Sequence, residues 1–155
     1  MHRDSGFVFQ VPGVLADRDL ELVLVGKYPG DPKRAYVPAY RFHMRHAANG
    51  RKAGRIELRV GNTDHVLMYA GHIGYRVEQE YRGQRYAERG CRLLFPLGRR
   101  HGLNPLWITC NPDNTPSRRT IERLGGVYVE TVPIPETHAM YRRGERLKCR
   151  YRIDL

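Results

Sequence analysis

The chain has 155 residues, of which 41% are hydrophobic, and its formal net charge at pH 7 is +11. This length and composition predict a single globular domain over residues 1–155, and they exclude a disordered chain. No apolar run reaches the ~20 residues that a membrane-spanning helix needs. The first residues, MHRDSGFVFQ, lack the apolar stretch of a secretory signal. We therefore expect a cytoplasmic protein without a membrane partner.

The cysteines and histidines do not follow the spacing of a metal site. Cys91, Cys110 and Cys149 are widely separated and form no CxxC pair, which argues against a disulfide framework and against a zinc centre. His43 and His46 lie three residues apart on a predicted strand, so their side chains point to opposite faces. We expect no bound metal.

Arginine dominates the positive charge. Twenty-three of the 27 basic residues are arginines, and the planar guanidinium suits bidentate contacts with phosphate or carboxylate groups. The excess charge is compatible with a solvated surface, a nucleic acid partner or a phosphorylated ligand. The arginines cluster near residues 82–100, 118–123 and 142–152 without the interleaved aromatic residues of ribonucleoprotein motifs. We therefore do not expect a nucleic acid partner.

The first half of the chain has the alternation and the turn residues of β-strands. Strands are predicted in four segments: 20–28, 37–47, 55–61 and 65–77. Together they are typical of an antiparallel meander. Gly71 and Gly74, inside the last segment, indicate a β-bulge or the close approach of another backbone or of a ligand.

The second half alternates helices with short strands. Apolar residues recur with helical spacing over residues 86–101, where Pro96 is expected to kink the helix and Gly102 to end it. A short strand at 105–110 leads to a second helix that Asn114 caps and a Gly-Gly pair stops.

Two final strands, 127–132 and 147–155, are joined by a loop. The order of the elements is strands, helix, strand, helix and two strands. This order predicts an α/β (α+β) fold in which helices cover the faces of a mixed sheet.

The segment EQEYRGQRYA, residues 78–87, joins a strand to a helix and has arginines on both sides of a glycine. Unpaired amides at a helix N-terminus, assisted by the helix dipole, bind phosphate or pyrophosphate. The alternative interpretation is a glycine turn that merely starts a helix.

The wider stretch HIGYRVEQEYRGQRYAERGCRLL, followed by LWITCNPDNTPSRRTIERLGG, resembles the GCN5-related N-acetyltransferase (GNAT) superfamily, and within it a poorly characterised branch of predicted acetyltransferases. The family signature Q/R-x-x-G-x-G/A lies between a strand and a helix, where backbone amides hold the pyrophosphate of coenzyme A. Arg82 matches its first position and Ala87 its last. The resemblance covers about residues 65–130 and is weak before residue 50.

The resemblance implies a mostly antiparallel central sheet of about six to seven strands with helices on its faces, and acetyl-CoA as cosubstrate. In the family, the pantetheine arm lies like an extra strand in a gap between two splayed strands, where amides bind it and polarise the thioester carbonyl. Asn114 would hold this arm, cap the following helix, or do both. The residues that we expect to bind the cosubstrate are Tyr75, Arg76, Val77, Arg82, Gly83, Gln84, Arg85, Tyr86, Ala87, Asn111, Asn114 and Ser117.

Two positions depart from the family pattern. Arg85 stands where the family usually has its middle glycine. We expect a helical φ and ψ there, which arginine tolerates, with the guanidinium within reach of a phosphate. In many members a tyrosine protonates the leaving thiolate, and its position, counted from Asn114 and Ser117, is Ile121 here. The usual general acid is therefore missing.

Acetyl transfer needs a base for the acceptor ammonium and an acid for the thiolate. The candidates near the expected cleft are His72, Cys110, Glu57, Tyr75 and Tyr141. His72 titrates in the suitable range, although a strand histidine is also commonly structural. Cys110 ends a strand where the thiolate should lie, although it also suits a core position. Glu57 is otherwise a solvent-facing strand residue, and Tyr141 lies in a loop of undefined position.

We predict that the chain transfers an acetyl group from acetyl-CoA to an amine acceptor by direct attack in a ternary complex. The alternatives are a non-catalytic acyl-CoA-binding protein, motivated by Ile121, and a basic nucleic acid-binding module. The sequence does not identify the acceptor, and the basic cluster at 142–152 either favours an acidic acceptor or is only surface. A homodimer is compatible with the sequence.

Overall fold

The computed structural model describes residues 6–155. Eight strands form two sheets. The strands are β1 (Leu15–Asp17), β2 (Leu20–Tyr28), β3 (Ala39–His46), β4 (Lys52–Arg59), β5 (Ile73–Val77), β6 (Leu106–Cys110), β7 (Val127–Pro133) and β8 (Leu147–Ile153). The helices are α1 (Tyr86–Arg100), α2 (Thr115–Arg123) and α3 (Ala139–Arg142), with a π-helical turn at His65–Ala70 and 3-10 turns at Pro32–Arg34 and Gln79–Tyr81.

The first five strands form an antiparallel sheet in the order β1-β2-β3-β4-β5, and helix α1 packs on one of its faces. Gly90 lets the helix come close, because a Cβ at this position would lie 3.2 to 3.8 Å from the side chains of Met44, Ile56 and Leu22. These three side chains belong to the buried core. The apolar alternation of β2, β3 and β4 thus faces α1, as expected for half-buried strands.

The opposite face of the five-stranded sheet carries mostly charged side chains. We call it the open face and define it by these residues of β3, β4 and β5: Arg41, His43, Arg45, Arg55, Glu57, Arg59, Gly74 and Arg76. All of them are exposed or half-buried. Helix α1 lies on the other side of the sheet, and α2 packs against α1 and β6.

The last three strands form a second antiparallel sheet in the order β6-β8-β7. Strands β5 and β6 are neighbours but are not paired. At one end, His72 N–H donates to the Trp107 carbonyl (2.7 Å) and Trp107 N–H donates to His72 Nδ1 (2.9 Å). Gly71 permits this approach, since a Cβ there would lie 3.0 Å from the Trp107 oxygen. Beyond this joint the sheets separate, and we call the gap between β5 and β6 the wedge.

The fold class expected from the sequence is confirmed, because helices pack on mostly antiparallel sheets. The strand expected at 20–28 has those limits, and the helix expected over 86–101 is α1, which continues through Pro96. Gly102 follows it with a φ of +77°. No helix within residues 6–155 has both the length and the apolarity of a membrane span.

Two local expectations are wrong. Residues 65–77 are not one strand, because His65–Ala70 is helical and only β5 is extended. A short apolar run such as HVLMYA suits a strand or a buried helical turn, and its periodicity does not distinguish them. The connection between β7 and β8, expected as a loop, contains helix α3. His138 caps this helix by accepting from Met140 N–H at Nδ1 (3.1 Å).

Candidate functional site

The wedge opens into a cavity of about 700 Å³, which we call the first cavity. The end of β5, the turn that leads into α1, and helix α2 meet there. Its lining residues are Tyr75, Arg76, Val77, Tyr81, Arg82, Gly83, Arg85, Tyr86, Ala87, Asn114, Pro116, Ser117, Arg119, Thr120 and Arg123. Ten of the twelve residues expected to bind the cosubstrate are among them. Gln84 and Asn111 are the exceptions.

Hydrogen bonds at the two ends of β5 fix which of its backbone groups face the wedge. Arg59 N–H donates to His72 O, and Glu78 N–H donates to Ala53 O, each at 2.7 Å. Hydrogen-bonded and non-hydrogen-bonded pairs alternate along an antiparallel ladder. The even-numbered positions of β5 therefore pair with β4, and the odd-numbered positions point their N–H and C=O groups into the wedge.

Tyr75 and Val77 are thus the residues near the first cavity whose backbone groups face the wedge. Arg82 Nε donates to Val77 O (3.1 Å), which agrees with this direction. Arg76, which we expected to offer its amide as well, directs its backbone groups to β4. Its side chain still lines the cavity.

Two residues with positive φ shape the turn before α1. Gly83 has a φ of +88°, and Arg85, the N-cap residue of α1, has a φ of +58° and a ψ of +32°. The helical conformation expected at Arg85 is therefore wrong. A left-handed backbone is unfavourable by roughly 1–2 kcal/mol for a residue with a Cβ, and glycine adopts it freely. The glycine that the family signature has at this position would adopt the same conformation without that cost.

The first turn of α1 presents unpaired amides to the cavity. Arg89 N–H donates to Arg85 O (2.9 Å), so the N–H groups of residues 86–88 have no partner within the helix. The Arg85 side chain makes no capping hydrogen bond. Free amides at the positive end of a 15-residue helix suit an anion.

Arginine side chains give this cavity its positive charge. Arg76, Arg85 and Arg119 line it and form no ion pair and no side-chain hydrogen bond with any residue of the described chain. Arg123, by contrast, bonds Glu88 at 2.6 Å. The three unpaired guanidinium groups are therefore available to an anionic ligand.

A second cavity of about 260 Å³ adjoins the first, and Tyr75, Asn114 and Ser117 line both. The Tyr75 hydroxyl lies 2.7 Å from Ser117 Oγ, and Asn114 Oδ1 accepts from Ser117 N–H (3.2 Å). Burial raises the pKa of Tyr75 well above its usual value, so this hydroxyl keeps its proton at neutral pH. The hydroxyl pair marks the boundary between the two cavities, and Asn114 caps α2 as expected.

Glu145, Lys148 and Asn111 form a polar wall of the second cavity. Glu145 accepts from Lys148 Nζ at 2.7 Å. Burial alone would raise the pKa of Glu145, but the hydrogen bond and the charge of Lys148 outweigh it and lower that pKa. Asn111 Oδ1 is buried and has no hydrogen-bond partner within residues 6–155. An unpartnered oxygen in the same wall as a carboxylate suits a ligand that donates hydrogen bonds, such as an ammonium group.

Cys110 also lines the second cavity, but it is nearly inaccessible. Burial, and to a smaller extent the neighbouring Cys149, raises the pKa of its thiol to about 11. The thiol is therefore protonated at neutral pH, and this environment does not favour the chemical role predicted for Cys110.

A third cavity of about 250 Å³ lies on the open face. Its lining residues are Arg41, Arg55, Ile56, Glu57, Arg59, Gly74, Tyr75 and Arg76. Glu57, a predicted catalytic residue, lies here and not in the second cavity. Its carboxylate is 3.7 Å from Arg41 and 3.7 Å from Arg59.

His72 lies fully buried at the joint of the two sheets and lines none of the three cavities. Because Nδ1 accepts from Trp107 N–H, the neutral ring carries its proton on Nε2, which donates to Asn62 Oδ1 (2.9 Å). Burial lowers its pKa to about 4. With both ring nitrogens engaged away from the wedge, His72 is unsuited to the predicted role of general base.

Tyr141, Ile121 and Gln84 also lie apart from the cavities. The Tyr141 ring packs under the guanidinium of Arg146 at 3.7 Å, whereas its neighbour Met140 lines the second cavity. Ile121 is fully buried in the core. Gln84 is exposed on the turn before α1. None of these side chains supplies the acid that the sequence lacks.

The sequence interpretation missed Glu145, Lys148 and Arg119. The α2 residues 116, 119, 120 and 123 line the first cavity at the i, i+3, i+4 and i+7 spacing of one helix face. That periodicity could have identified Arg119. Glu145 and Lys148 lie in a segment without a comparable signal.

Comparison with known proteins identifies the family. Residues 19–127, well over half of the chain, match the model of the acetyltransferase (GNAT) domain. No match was found among the curated proteins. No group of three or more potential metal ligands occurs in the part of the chain that the structure describes.

Solved structures share the fold. A "putative ribosomal-protein-serine acetyltransferase" from Vibrio cholerae matches at a TM-score of 0.66 and 17% identity, over 94% of this chain and 100% of that one. The acetyl transferase that modifies the N-terminal serine of ribosomal protein L7/L12 in Salmonella typhimurium matches at 0.58 and 18%, over 79% and 66%. A ribosomal L7/L12 alpha-N-protein acetyltransferase in complex with coenzyme A matches at 0.59 and 18%, over 79% and 64%.

This chain therefore spans the whole of the first of these structures but slightly less than two thirds of the other two. At these identities the likeness concerns the fold. The family model, the splayed strands and the turn with free amides before α1 agree with one another, and the chain belongs to the GNAT acetyltransferase family.

Proposed function

We propose that the chain transfers the acetyl group of acetyl-CoA to an amine by direct attack while both substrates are bound. Membership of the GNAT family supports acetyl transfer from acetyl-CoA in general. The Tyr75–Ser117 hydroxyl pair carries the more specific proposal, because it lies where the first and second cavities meet. A thioester held in the first cavity and an amine held in the second would meet there.

The first cavity fits coenzyme A in three respects. The wedge-facing backbone groups of Tyr75 and the N–H of Val77, whose carbonyl already accepts from Arg82, would pair with the amides of the pantetheine arm, as an added strand pairs with a sheet edge. The free amides at the start of α1 would hold the pyrophosphate. Arg85 and Arg119 would add charge-assisted hydrogen bonds to its oxygens. The volume of about 700 Å³ also lies in the usual range of small-molecule sites.

Residues around the second cavity would receive the amine. Glu145 is the acidic side chain that lines this cavity in the described chain, and its lowered pKa keeps it ionised. Together with Asn111 Oδ1 it would bind the incoming ammonium and accept a proton from it, directly or through a water molecule. The amine then has a free lone pair for attack on the acetyl carbon.

The hydroxyl pair and the β5 backbone would stabilise the charge that develops. The N–H of Tyr75 would donate to the thioester oxygen as that oxygen becomes negative. The Tyr75 hydroxyl, oriented by Ser117, would donate a hydrogen bond to the sulfur as the C–S bond breaks. Of the two protons that the ammonium loses, one ends on the coenzyme A thiol and one reaches solvent. The N–C bond forms as the C–S bond breaks.

The names of the similar structures suggest a class of acceptor. All three structures described above are named for acetylation of ribosomal proteins, and one of them for an N-terminal serine. We therefore propose a protein amine as the acceptor. A non-catalytic acyl-CoA-binding protein is the rival, because Ile121 leaves the usual position of the acid without a hydroxyl.

Substitutions in the second cavity distinguish catalysis from binding alone. Glu145→Gln should lower kcat/KM for a peptide amine by about 100-fold, the scale of a lost general base. Tyr75→Phe should lower kcat by about tenfold, the scale of one lost hydrogen bond to a charged group. Both variants should bind acetyl-CoA with unchanged Kd by calorimetry, because neither change removes a backbone amide.

Matched controls lie outside all three cavities. Glu130→Gln removes another paired carboxylate, and Tyr128→Phe removes another hydroxyl that bonds a hydroxyl side chain, that of Thr131 at 2.7 Å. Neither control should change kcat. Wild-type protein that binds acetyl-CoA but acetylates no amine would favour the non-catalytic rival. Absence of acetyl-CoA binding would refute the proposal as a whole.

A further inference from the structure

The open face carries positive charge that the described chain does not balance. Arg55 and Arg76 are exposed, and neither forms an ion pair or a side-chain hydrogen bond with residues 6–155. Arg45 on the same face differs, because it bonds Glu21. In the third cavity as a whole, four arginines face one glutamate, Glu57.

The strand register places these cations side by side. Arg55 on β4 is directly opposite His43 on β3 and Arg76 on β5. Like charges at directly opposite positions of a sheet are destabilising. Burial and then the charges of Lys52 and Arg41 lower the pKa of His43, which keeps that ring neutral. The pair of Arg55 and Arg76 therefore does not contribute to the stability of the fold. An anionic ligand beside both side chains would replace their mutual repulsion with attraction to the ligand.

The third cavity continues into the second. Arg59, Gly74 and Tyr75 line both. The Arg59 guanidinium crosses from β4 over β5 and donates to Ala70 O (3.1 Å), and a Cβ at Gly74 would lie 2.9 Å from it. Because residue 74 has no side chain, the space between the two cavities holds the Arg59 guanidinium and remains open to a ligand.

The two cavities differ in the free acceptors and donors that they offer. Beside the cations Arg59 and Lys148, the second offers the Glu145 carboxylate and the unpartnered Asn111 oxygen, and both can accept hydrogen bonds from an ammonium group. The third offers unpaired guanidinium groups, which suit carboxylates. Given the acetyl transfer proposed above, on which this inference rests, we propose that the acceptor is a polypeptide whose acetylated amine is followed closely by acidic residues. The amine enters the second cavity, and the acidic side chains lie on the open face.

Three observations favour an acidic polypeptide over a nucleic acid. Acetyl transfer needs an aliphatic amine, which a polypeptide supplies and an unmodified nucleic acid does not. Tyr75 is the aromatic residue among those lining the third cavity, and Ser117 engages its hydroxyl, so no platform for base stacking is present among the described residues there. The open face also extends past the cavity to Arg45, which gives room for an extended chain.

Two lysine-free hexapeptides test the proposal. Ser-Asp-Glu-Asp-Glu-Gly and Ser-Asn-Gln-Asn-Gln-Gly, both amidated at the C-terminus, differ in charge but hardly in shape. At low salt, wild-type protein should acetylate the acidic peptide with a kcat/KM about tenfold higher, and added salt should reduce the difference. Arg55→Gln should reduce the preference about threefold, and Arg55→Lys should restore most of it. Arg55→Gln combined with Arg76→Gln should abolish it; because Arg76 also lines the first cavity, this variant is assayed at saturating acetyl-CoA and judged only by the ratio of the two peptides.

Arg152→Gln is the matched control, because this arginine is exposed on the other sheet and bonds Asp154. It should leave the preference unchanged. Equal kcat/KM for the two peptides, or equal losses in the Arg55 variants and in the control, would overturn the inference. So would a single-stranded oligonucleotide that binds the open face at physiological salt and displaces the acidic peptide. Calorimetry with acetyl-CoA, run in parallel, separates these outcomes from a failure of the proposed function, since coenzyme A binding does not involve Arg55.

Discussion

The two sheets use positive charge differently. On the three-stranded sheet, Arg150 is buried, lies over the Trp107 ring at 4.3 Å and bonds Glu130 at 2.6 Å. On the five-stranded sheet, Arg55 and Arg76 are exposed and have no such partner within residues 6–155. Paired cations contribute to the fold, whereas unpaired cations remain for a ligand. A net charge of +11 is therefore informative about function only after each cation has been assigned its neighbours.

The basic cluster at 142–152 illustrates this difference. In the sequence it was compatible with an acidic acceptor or with plain surface. In the structure, four of its six cations form ion pairs within the chain: Arg143 and Lys148 with Glu145, Arg150 with Glu130, and Arg152 with Asp154. The charge available to an acidic acceptor lies instead on the open face.

The joint between the two sheets should fail first in acid. His72 has a pKa of about 4 in the fold and about 6.5 when unfolded, so it binds a proton more readily in the unfolded chain. Its contribution is complete above pH 6.5 and is lost as the pH falls from 6.5 to 4. The total loss is about 3 kcal/mol, of which about 2 kcal/mol occurs by pH 5. Urea unfolding at pH 7, 6 and 5 measures it.

His72→Gln is the comparison for this experiment. This variant should be less stable than wild type at pH 7, because it disturbs the bond with Trp107, but its stability should depend less on pH between 7 and 5. If the free energy of unfolding falls equally in the two proteins between pH 7 and 5, other histidines, and not His72, cause the loss of stability in acid.

Replacing one cation on each sheet sharpens the comparison of paired and unpaired charge. Arg150→Met should lower the free energy of unfolding by about 2 kcal/mol, because it removes charged hydrogen bonds to Glu130 and to Leu67 O. Arg55→Met should change it by less than about 0.5 kcal/mol. Denaturant melts at one pH measure both. Equal losses of unfolding free energy in the two variants would mean that paired and unpaired arginines do not differ in their contribution to stability.

Arg85 offers the smallest effect and the most specific one, because stability and affinity should change in opposite directions. Arg85→Gly relieves the left-handed backbone, and the free energy of unfolding without ligand should rise by up to about 1 kcal/mol. Coenzyme A affinity should fall about tenfold at low salt if the guanidinium contacts a phosphate. Arg85→Ala should lose the same affinity without the gain in stability. Thermal melts and calorimetry on both variants provide the test, and unchanged affinity in both would place the Arg85 side chain away from the ligand.

Elements with strong local signals could be predicted from the sequence. The helix over residues 86–101 and the strand over 20–28 appear where expected, because apolar residues at the spacing of the element mark each of them. The run at residues 65–70 could not be predicted in the same way. Its helical turn depends on contacts with distant elements, including the hydrogen bond from Arg150 Nε to Leu67 O (2.9 Å) and the bond from Thr109 to Tyr69 O (2.6 Å).

The candidate site could be predicted where it is continuous in sequence. The turn at 82–87 was identified from its signature, although the conformation of Arg85 was not, because a helix cap and a helical residue look alike without a glycine. The junction of Tyr75 with Ser117 joins residues 42 apart in sequence. Glu145 reaches the second cavity only because the second sheet folds beside the wedge. Such long-range pairs leave no periodic signal in a single sequence.

The wedge also affects how the molecule meets its neighbours. Each sheet has two edge strands, and unpaired strand edges are the usual sites at which another chain adds a strand. The free edges of β5 and β6 face each other across the wedge, and β1 has only three residues. The edge of β7 is seven residues long, with Val127 and Val129 exposed. The gap that receives a ligand thus shields two strand edges from intermolecular pairing, and aggregation of the folded protein would begin at β7.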